Sequence, residues 1–413
     1  MRTILSGICL LVATISFAQR QCASSAYIDQ LKSADPSFAN RITQVENFIN
    51  RQSTAKETGQ DAPNVITIPV VIHVLYKNAS QNISDEQITS QLDALNRDYR
   101  RRNADTASTP LRFKSIAADV QIQFALATAD PKGRATNGII RKPTNVSYWS
   151  TDDKIKFSSK GGDDAWDSRY YLNIWIGDLD GLLGYATVPG TAADKDGVVI
   201  NYTAFGTINV VGAYNLGRTA THEIGHWLGL KHIWGDSYCG DDLVDDTPKQ
   251  GNFTSGCPNT FRSTCSNGEM GDMYMNYMDF TNDACMNLFT AGQKQRMLTL
   301  FKDGGARSLL LSSKGLNTPW VTEVPVESLP ASANSVLTYY PNPTNGEVFL
   351  SFNNNSDWIG KTISVVNING TVVSTKKITS KSERINLSSL KAGMYFLQAE
   401  YGTQKIREKI IKL

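Results

Sequence analysis

Histidine is nearly absent from this chain, with four in 413 residues. Other scarcities narrow the reading further. After the first residues there is no apolar run approaching the roughly 20 residues that a membrane helix needs. No block of Lys and Arg stands out, and the net charge is only +2, so charge gives no argument for nucleic acid or for an acidic partner. None of the six cysteines forms a Cys-x-x-Cys pair, which weakens a four-cysteine zinc site as an explanation for them. What is present is the composition of a folded protein, 41% hydrophobic and 19% charged. The length implies two or three domains.

The N-terminus has a secretory design. Met1-Arg2 is a short basic start, Ile4 to Ile15 is largely apolar, and Ser16-Phe17-Ala18 suits a small-residue cleavage site. Residues 1–18 are therefore expected to be a signal peptide, and Cys9 leaves with it. Export favours two disulfides among Cys239, Cys257, Cys265 and Cys285, and the residues alone permit three pairings. Cys22 is then left over, as a ligand, an intermolecular disulfide or an incidental thiol.

Residues 19–62 are polar with a weak helical pattern, and the character of the chain changes after them. The β-branched run TIPVVIHVLY at 67–76 predicts a buried strand. Ser84 with Gln87 three residues on predicts a capped helix to about Asn103. Further strands are predicted at 120–128, 172–176 and 198–202. A mixed α/β domain is expected over 63–310, a Ser/Pro/Asn-rich linker over 311–333, and a third unit over 334–413. In that last unit seven short strands, at 336–340, 347–352, 362–367, 371–375, 383–387, 393–400 and 404–411, predict a small immunoglobulin-like β-sandwich.

Three of the four histidines lie in HEIGHWLGLKH at 222–232. His222 and His226 are four apart, so a helix projects both from one face. Gly229 can end that helix and turn the chain, which lets His232 return as a third ligand. Three protein ligands leave a position open for water, the arrangement of a catalytic zinc. Glu223 is placed to accept a proton from that water as it attacks a peptide carbonyl. His73, inside an apolar strand, reads as a hydrogen-bonded core residue.

HEIGHWLGLKHIWG with NYMD at 276–279 resembles the metzincin metallopeptidases. More narrowly, LNIW at 172–175, GYATVPG at 184–190, CGDDLVDDTP at 239–248 and FTAGQKQRM at 289–297 resemble the pappalysin family, over roughly residues 20–305. The resemblance implies a two-lobed catalytic domain with Met278 as the Met-turn residue beneath the zinc. It implies the pairings Cys239–Cys265 and Cys257–Cys285, a calcium ion near Asp242, Asp245, Asp246 and Thr247, and a pro-segment over 19–62 that keeps the precursor latent through Cys22 as a zinc ligand. Relatives often prefer arginine beside the scissile bond, and Asp283 is a candidate for an acidic pocket. Arg51-Gln52 would suit self-processing on the same preference. One departure stands out. Relatives commonly carry a tyrosine where this chain has Phe280, which cannot donate to a developing oxyanion; Tyr277 is a candidate substitute.

YPNPTNG at 340–346, LKAGMYFLQ at 390–398 and KIREKIIKL at 405–413 resemble the sorting domain of the type IX secretion system. That implies a protein secreted by a Gram-negative Bacteroidetes-type bacterium and a contact with its secretion machinery. A carbohydrate-binding module is the rival for this unit, with Trp358 its main candidate aromatic. The function expected is a secreted zinc endopeptidase acting as a monomer on proteins or peptides. Two alternatives are a retired metzincin scaffold used for binding or adhesion and the hydrolysis of a non-protein amide. The intact Glu223 argues against the first.

Overall fold

The computed structural model describes residues 22–54, 65–319, 321, 337–352, 356–402 and 404–413. The expected signal peptide and most of the expected linker lie outside them. The chain divides into two compact units, Met1–Glu323 and Val324–Leu413.

The first unit opens with two helices, α1 (Ser24–Ala34) and α2 (Pro36–Thr54). Asp35 alone separates them, in extended conformation, as expected where the following Pro36 disfavours a helical residue before it. The central strand β1 (Ile66–Tyr76) follows. Its neighbours along one edge are β2 (Ile122–Leu126), beside Ile66–Val70, and β3 (Ile139–Pro143), beside Ile72–Tyr76. On the other side lie β4 (Leu172–Gly177) and then β6 (Val198–Asn201), all parallel. Flanked on both edges and covered on both faces, β1 is apolar without alternation.

The last strand of this sheet is β5 (Gly184–Ala186), antiparallel to β6 and at the edge. His73 of β1 is buried, with Nδ1 2.7 Å from Asp163 and Nε2 3.1 Å from Asn173 Oδ1. It is a core histidine.

Helix α3 (Asp85–Tyr99) packs on β2. Ser84 accepts from the Gln87 backbone N–H at 3.2 Å, but the predicted box is only half made. The Gln87 amide instead donates to the carbonyls of Tyr202 and Phe205, because burial offers it acceptors from another segment. A short α4 (Leu111–Lys114) precedes β2. The helix carrying the histidines is α5 (Arg218–Trp227), buried at every residue. The full capping box occurs on α6 (Ala291–Thr299), between Thr290 and Gln293. One core gathers Ile68, Val70, Leu95, Ile174, Ile224 and Met278 with their neighbours.

The first unit runs past residue 310. Residues 308–312 form a short turn of helix, and Gly315 O accepts from Thr128 N and Ala129 N at 2.8 and 3.0 Å. The start expected for the linker is thus packed against the body of this unit.

The second unit is all antiparallel. One sheet has the order β10-β9-β12-β13 and the other β11-β8-β7. These strands are β7 (Thr338–Tyr340), β8 (Glu347–Ser351), β9 (Thr362–Asn367), β10 (Val372–Lys377), β11 (Ser382–Asn386), β12 (Gly393–Tyr401) and β13 (Gln404–Lys412). They share a core of Val348, Leu350, Ile363, Val365, Leu397 and Ile410. Trp358 is 0% exposed within it, so it is a core residue and no part of a surface aromatic platform.

Candidate active site

The geometry of α5 follows from its sequence. The spacing of four sets His222 and His226 one turn apart, with their Nε2 atoms 3.1 Å apart. The helix stops at Leu228, and Gly229 takes φ +82°, the left-handed conformation that glycine adopts without strain. The chain then reverses and His232 returns, its Nε2 3.1 Å from that of His226. Gly225 lies between the two helical ligands for a packing reason. A β-carbon there would meet Met278 Sδ at 2.5 Å. Met278, 0% exposed, thus packs directly beneath the helix.

Each imidazole is oriented through its other nitrogen. His222 Nδ1 donates to the Tyr277 carbonyl at 2.7 Å, His226 Nδ1 to the Leu230 carbonyl at 2.9 Å, and His232 Nδ1 to Asp236 at 2.5 Å. A carbonyl can only accept, so the proton of His222 and of His226 sits on Nδ1 and Nε2 carries the lone pair. Burial, with His232 beside it, holds His226 neutral, down to about 4. Converging lone pairs on neutral imidazoles suit a metal ion. Tetrahedral zinc at the usual bond length would separate its nitrogens by about 3.3 Å, close to what is seen.

The fourth donor is Cys22. Its Sγ is 3.7 Å from His226 Nε2, and the ligand atoms of Cys22, His222, His226 and His232 all lie within 4.8 Å of one another. Among the described residues this is the one gathering of three or more His, Cys, Asp or Glu ligand atoms. Burial, then the Glu223 carboxylate, pushes the Cys22 thiol well up. A dication among the four donors would reverse that cost.

The segment around Cys22 lies on the edge strand. Cys22 bridges Gly184 in parallel sense, and Ala23 N donates to Gly184 O at 3.1 Å. Ser24 Oγ donates to Glu223 Oε2 at 2.8 Å and accepts from Ala186 N at 2.9 Å. Glu223 is 1% exposed. Ser25 Oγ donates to Asp236 at 2.8 Å. Farther on, Arg41 donates to the Gly190 carbonyl at 2.8 Å, and Glu46 pairs with Arg296. Arg51 is in the last turn of α2.

Sequence reasoning missed several of these groups. Asp236 does carry a signal, since its place four residues after His232 suits an orienting partner. The Tyr277 carbonyl and Ser24 carry no sequence signal of their role. The Tyr277 hydroxyl donates to Asp98 at 2.9 Å and is fully buried, so it is no oxyanion donor. Phe280 packs its ring on His232, Trp234 and Phe253, with centroids 4.9, 4.8 and 5.4 Å away.

Asp283 is 0% exposed, and its Oδ2 accepts from Leu216 N and Arg218 N at 2.9 and 3.1 Å, at the N-terminus of α5. The acidic run is divided among other tasks. Asp246 accepts from Thr290 Oγ1 and Gly292 N at the start of α6. Asp242 accepts from Thr247 at 2.9 Å, and burial raises its carboxyl to about 7. Asp245 is exposed. Disulfides join Cys239 to Cys265 and Cys257 to Cys285.

Comparison with known proteins places these features in a lineage. Residues 156–302 match the family described as pregnancy-associated plasma protein-A, and residues 338–413 match the secretion system C-terminal sorting domain. An extracellular metalloprotease of Pyricularia oryzae is 33% identical over 260 residues, covering 60% of this chain and 80% of that protein. Mature mirolysin of Tannerella forsythia, solved with a cleaved peptide, is 50% identical with a TM-score of 0.59, covering 60% of this chain and 97% of that one. A promirolysin mutant from the same organism is 46% identical with a TM-score of 0.65, covering 71% and 97%.

Proposed function

As a member of the pappalysin family of metzincins, this chain is a zinc metalloendopeptidase, and we propose that it is made latent, with Cys22 and Ser24 occupying the site at which Glu223 later works. The observation that carries this reading is the pairing of two contacts from one short segment. Cys22 Sγ joins the three histidines, and Ser24 Oγ sits 2.8 Å from Glu223. Ligand position and base are thereby covered together.

Zinc held by His222, His226 and His232 would polarise the scissile carbonyl and bring the pKa of a water there from 15.7 down to about 7. Glu223 takes the proton of the attacking water and returns it to the departing amine nitrogen. The Tyr277 and Leu230 carbonyls and Asp236 hold the imidazoles in the ligating tautomer throughout. Once residues 22–24 leave, the Gly184 carbonyl and the Ala186 N–H are open to an extended peptide, which can pair with the β5 edge. Met278 supports the helix floor by packing.

Separation of the pro-segment requires cleavage before β1, and Arg51-Gln52, in the last turn of α2, is the proposed point. The C-terminal unit is proposed to be the address for type IX secretion from a Bacteroidetes-type cell, supported by its match to the sorting domain. Calcium at residues 242–247 also stands as a proposal, supported by the acidic run and by the buried carboxyl of Asp242.

The test compares a Glu223→Ala protein freed of its pro-segment with a Cys22→Ala precursor, both zinc-loaded. Glu223→Ala is expected to keep its zinc and lose nearly all proteolysis. Cys22→Ala is expected to lose sulfur from the zinc shell, read by X-ray absorption, and to cleave peptides before processing. Substantial activity in the first, or an unchanged shell in the second, would refute the reading.

A further inference from the structure

Tyr27 enters the body of the protein more deeply than any contact with the metal site demands. It is 0% exposed, and its ring lies 4.8 Å from that of Tyr185. Around it are Trp175, Trp149, Leu179 and Val199. The floor is charged. Tyr27 Oη donates to Asp153 Oδ1 at 2.6 Å and accepts from Lys156 Nζ at 2.9 Å. Lys156 is itself 0% exposed, pairs with Asp153 at 3.0 Å, and lies 4.8 to 5.7 Å from the rings of Tyr27, Tyr185 and Trp175. Lys195 makes a second ion pair with Asp153 at 3.2 Å.

A purely apolar plug would need no such floor. Burying an ammonium is costly unless it is paired and hydrogen-bonded. Here a phenol completes both charges at once, as acceptor for one and donor to the other. The charged floor and the aromatic walls Trp149, Trp175 and Tyr185 belong to the body of the unit, whereas the phenol belongs to the pro-segment, whose Ala23 and Leu31 pack at the same cluster. Tyr185 also lies between Gly184 and Ala186, the two positions of β5 whose backbone holds Ala23 and Ser24. A peptide paired with that edge therefore passes the mouth of this pocket.

We propose that the pocket filled by Tyr27 becomes, in the processed enzyme, a substrate subsite selective for a tyrosine side chain close to the scissile bond. The inference rests on the latency reading above, since it needs the pro-segment to depart. Lys156 and Asp153 then distinguish tyrosine from phenylalanine, and the aromatic walls distinguish either from alanine. A site built to hydrogen-bond a hydroxyl discriminates against the analogue lacking it, because its polar groups are left unpaired.

The test uses enzyme processed from the full chain and peptides of one sequence. Tyr, Phe or Ala is placed in turn at each of four positions on either side of the cleaved bond. At one position, kcat/KM for Tyr is expected to exceed that for Phe on the order of tenfold, chiefly through KM, with Ala lower still. Lys156→Met should erase the Tyr-over-Phe step and retain Phe over Ala. The Tyr and Phe comparison is made on unaltered enzyme, so it stands even if that variant does not fold. A second readout avoids turnover: a labelled peptide of residues 22–54 bound to processed Glu223→Ala protein should be displaced by the Tyr peptide and not by its Ala counterpart. Equal cleavage of all three peptides at every position overturns the proposal, as does a Tyr preference that survives Lys156→Met. An unprocessed chain cleaving as fast as the processed one would instead refute latency, so the two failures are distinct.

Discussion

Gly225→Ala tests how the floor of the site is built. The added β-carbon would lie 2.5 Å from Met278 Sδ and 3.3 Å from its Cε. Ordinary contact is about 3.5–4.0 Å, so something must move by on the order of 1 Å. Met278 is fully buried in the main core and has no solvent to move into. In an exposed helix the same change would stabilise by about 1 kcal/mol. Overpacking a filled core costs about 1–3 kcal/mol. Since α5 is buried throughout, the steric cost wins, and the net expectation is a loss of about 1–2 kcal/mol, a Tm about 2–6 °C lower for a unit of this size.

The partner substitution Met278→Ala should cost about 2–5 kcal/mol through the cavity it leaves. In the double variant the new methyl fills part of that cavity. The two costs should then fall short of their sum by about 1–2 kcal/mol. Urea melts of the four proteins, zinc-saturated, give the cycle. Strict additivity, or a Gly225→Ala protein more stable than the parent, would show that Met278 does not explain the glycine.

Three further expectations follow from other parts of the molecule. Burial raises Asp98 to about 6 despite Arg218, Thr221 and Tyr277 around it; with a folded pKa above the unfolded value near 3.9, its contribution to stability grows as pH falls through about 6 toward 4. The stability difference between the parent and Asp98→Asn should therefore shift in the parent's favour from pH 7 to pH 4, and a flat difference contradicts the shift. Added Ca²⁺ is expected to raise Tm relative to EGTA with zinc held constant, since a cation would offset the acidic run at 241–246; equal melting temperatures would leave that run as helix cap and solvated loop. Removing residues 334–413 should leave a purified enzyme active yet block its release from the native host, and normal appearance in the medium would return the unit to the binding-module reading.

Much of this was legible because it is local. A spacing of four on a helix puts His222 and His226 on one face whatever surrounds them, and Gly229 needs only its own backbone freedom to bring His232 back. The apolar run of β1 announces a strand covered on both faces. The seven strands of the C-terminal unit fall within a few residues of their predicted bounds because strand patterning is a short-range signal. Where a local rule met a tertiary alternative, the alternative prevailed. The Gln87 amide left its capping role for carbonyls of Tyr202 and Phe205, and Trp358 went to the core of its sandwich.

What the tertiary structure decided is the control of the site, because each of its contacts joins residues that no periodicity relates. Cys22 stands 204 positions from His226, and Ser24 stands 199 from Glu223. The Asp153 that meets Tyr27 is 126 positions away. The residues by themselves allowed three pairings of the four clustered cysteines, and only the packed loops bring Cys239 to Cys265 and Cys257 to Cys285. A sequence specifies chemistry that fits within one helical turn and its return. Which distant side chain stands beside the three imidazoles, meets Glu223 or lines the neighbouring pocket depends on how the sheet edge and the first helix pack, and that is settled by shape and burial together.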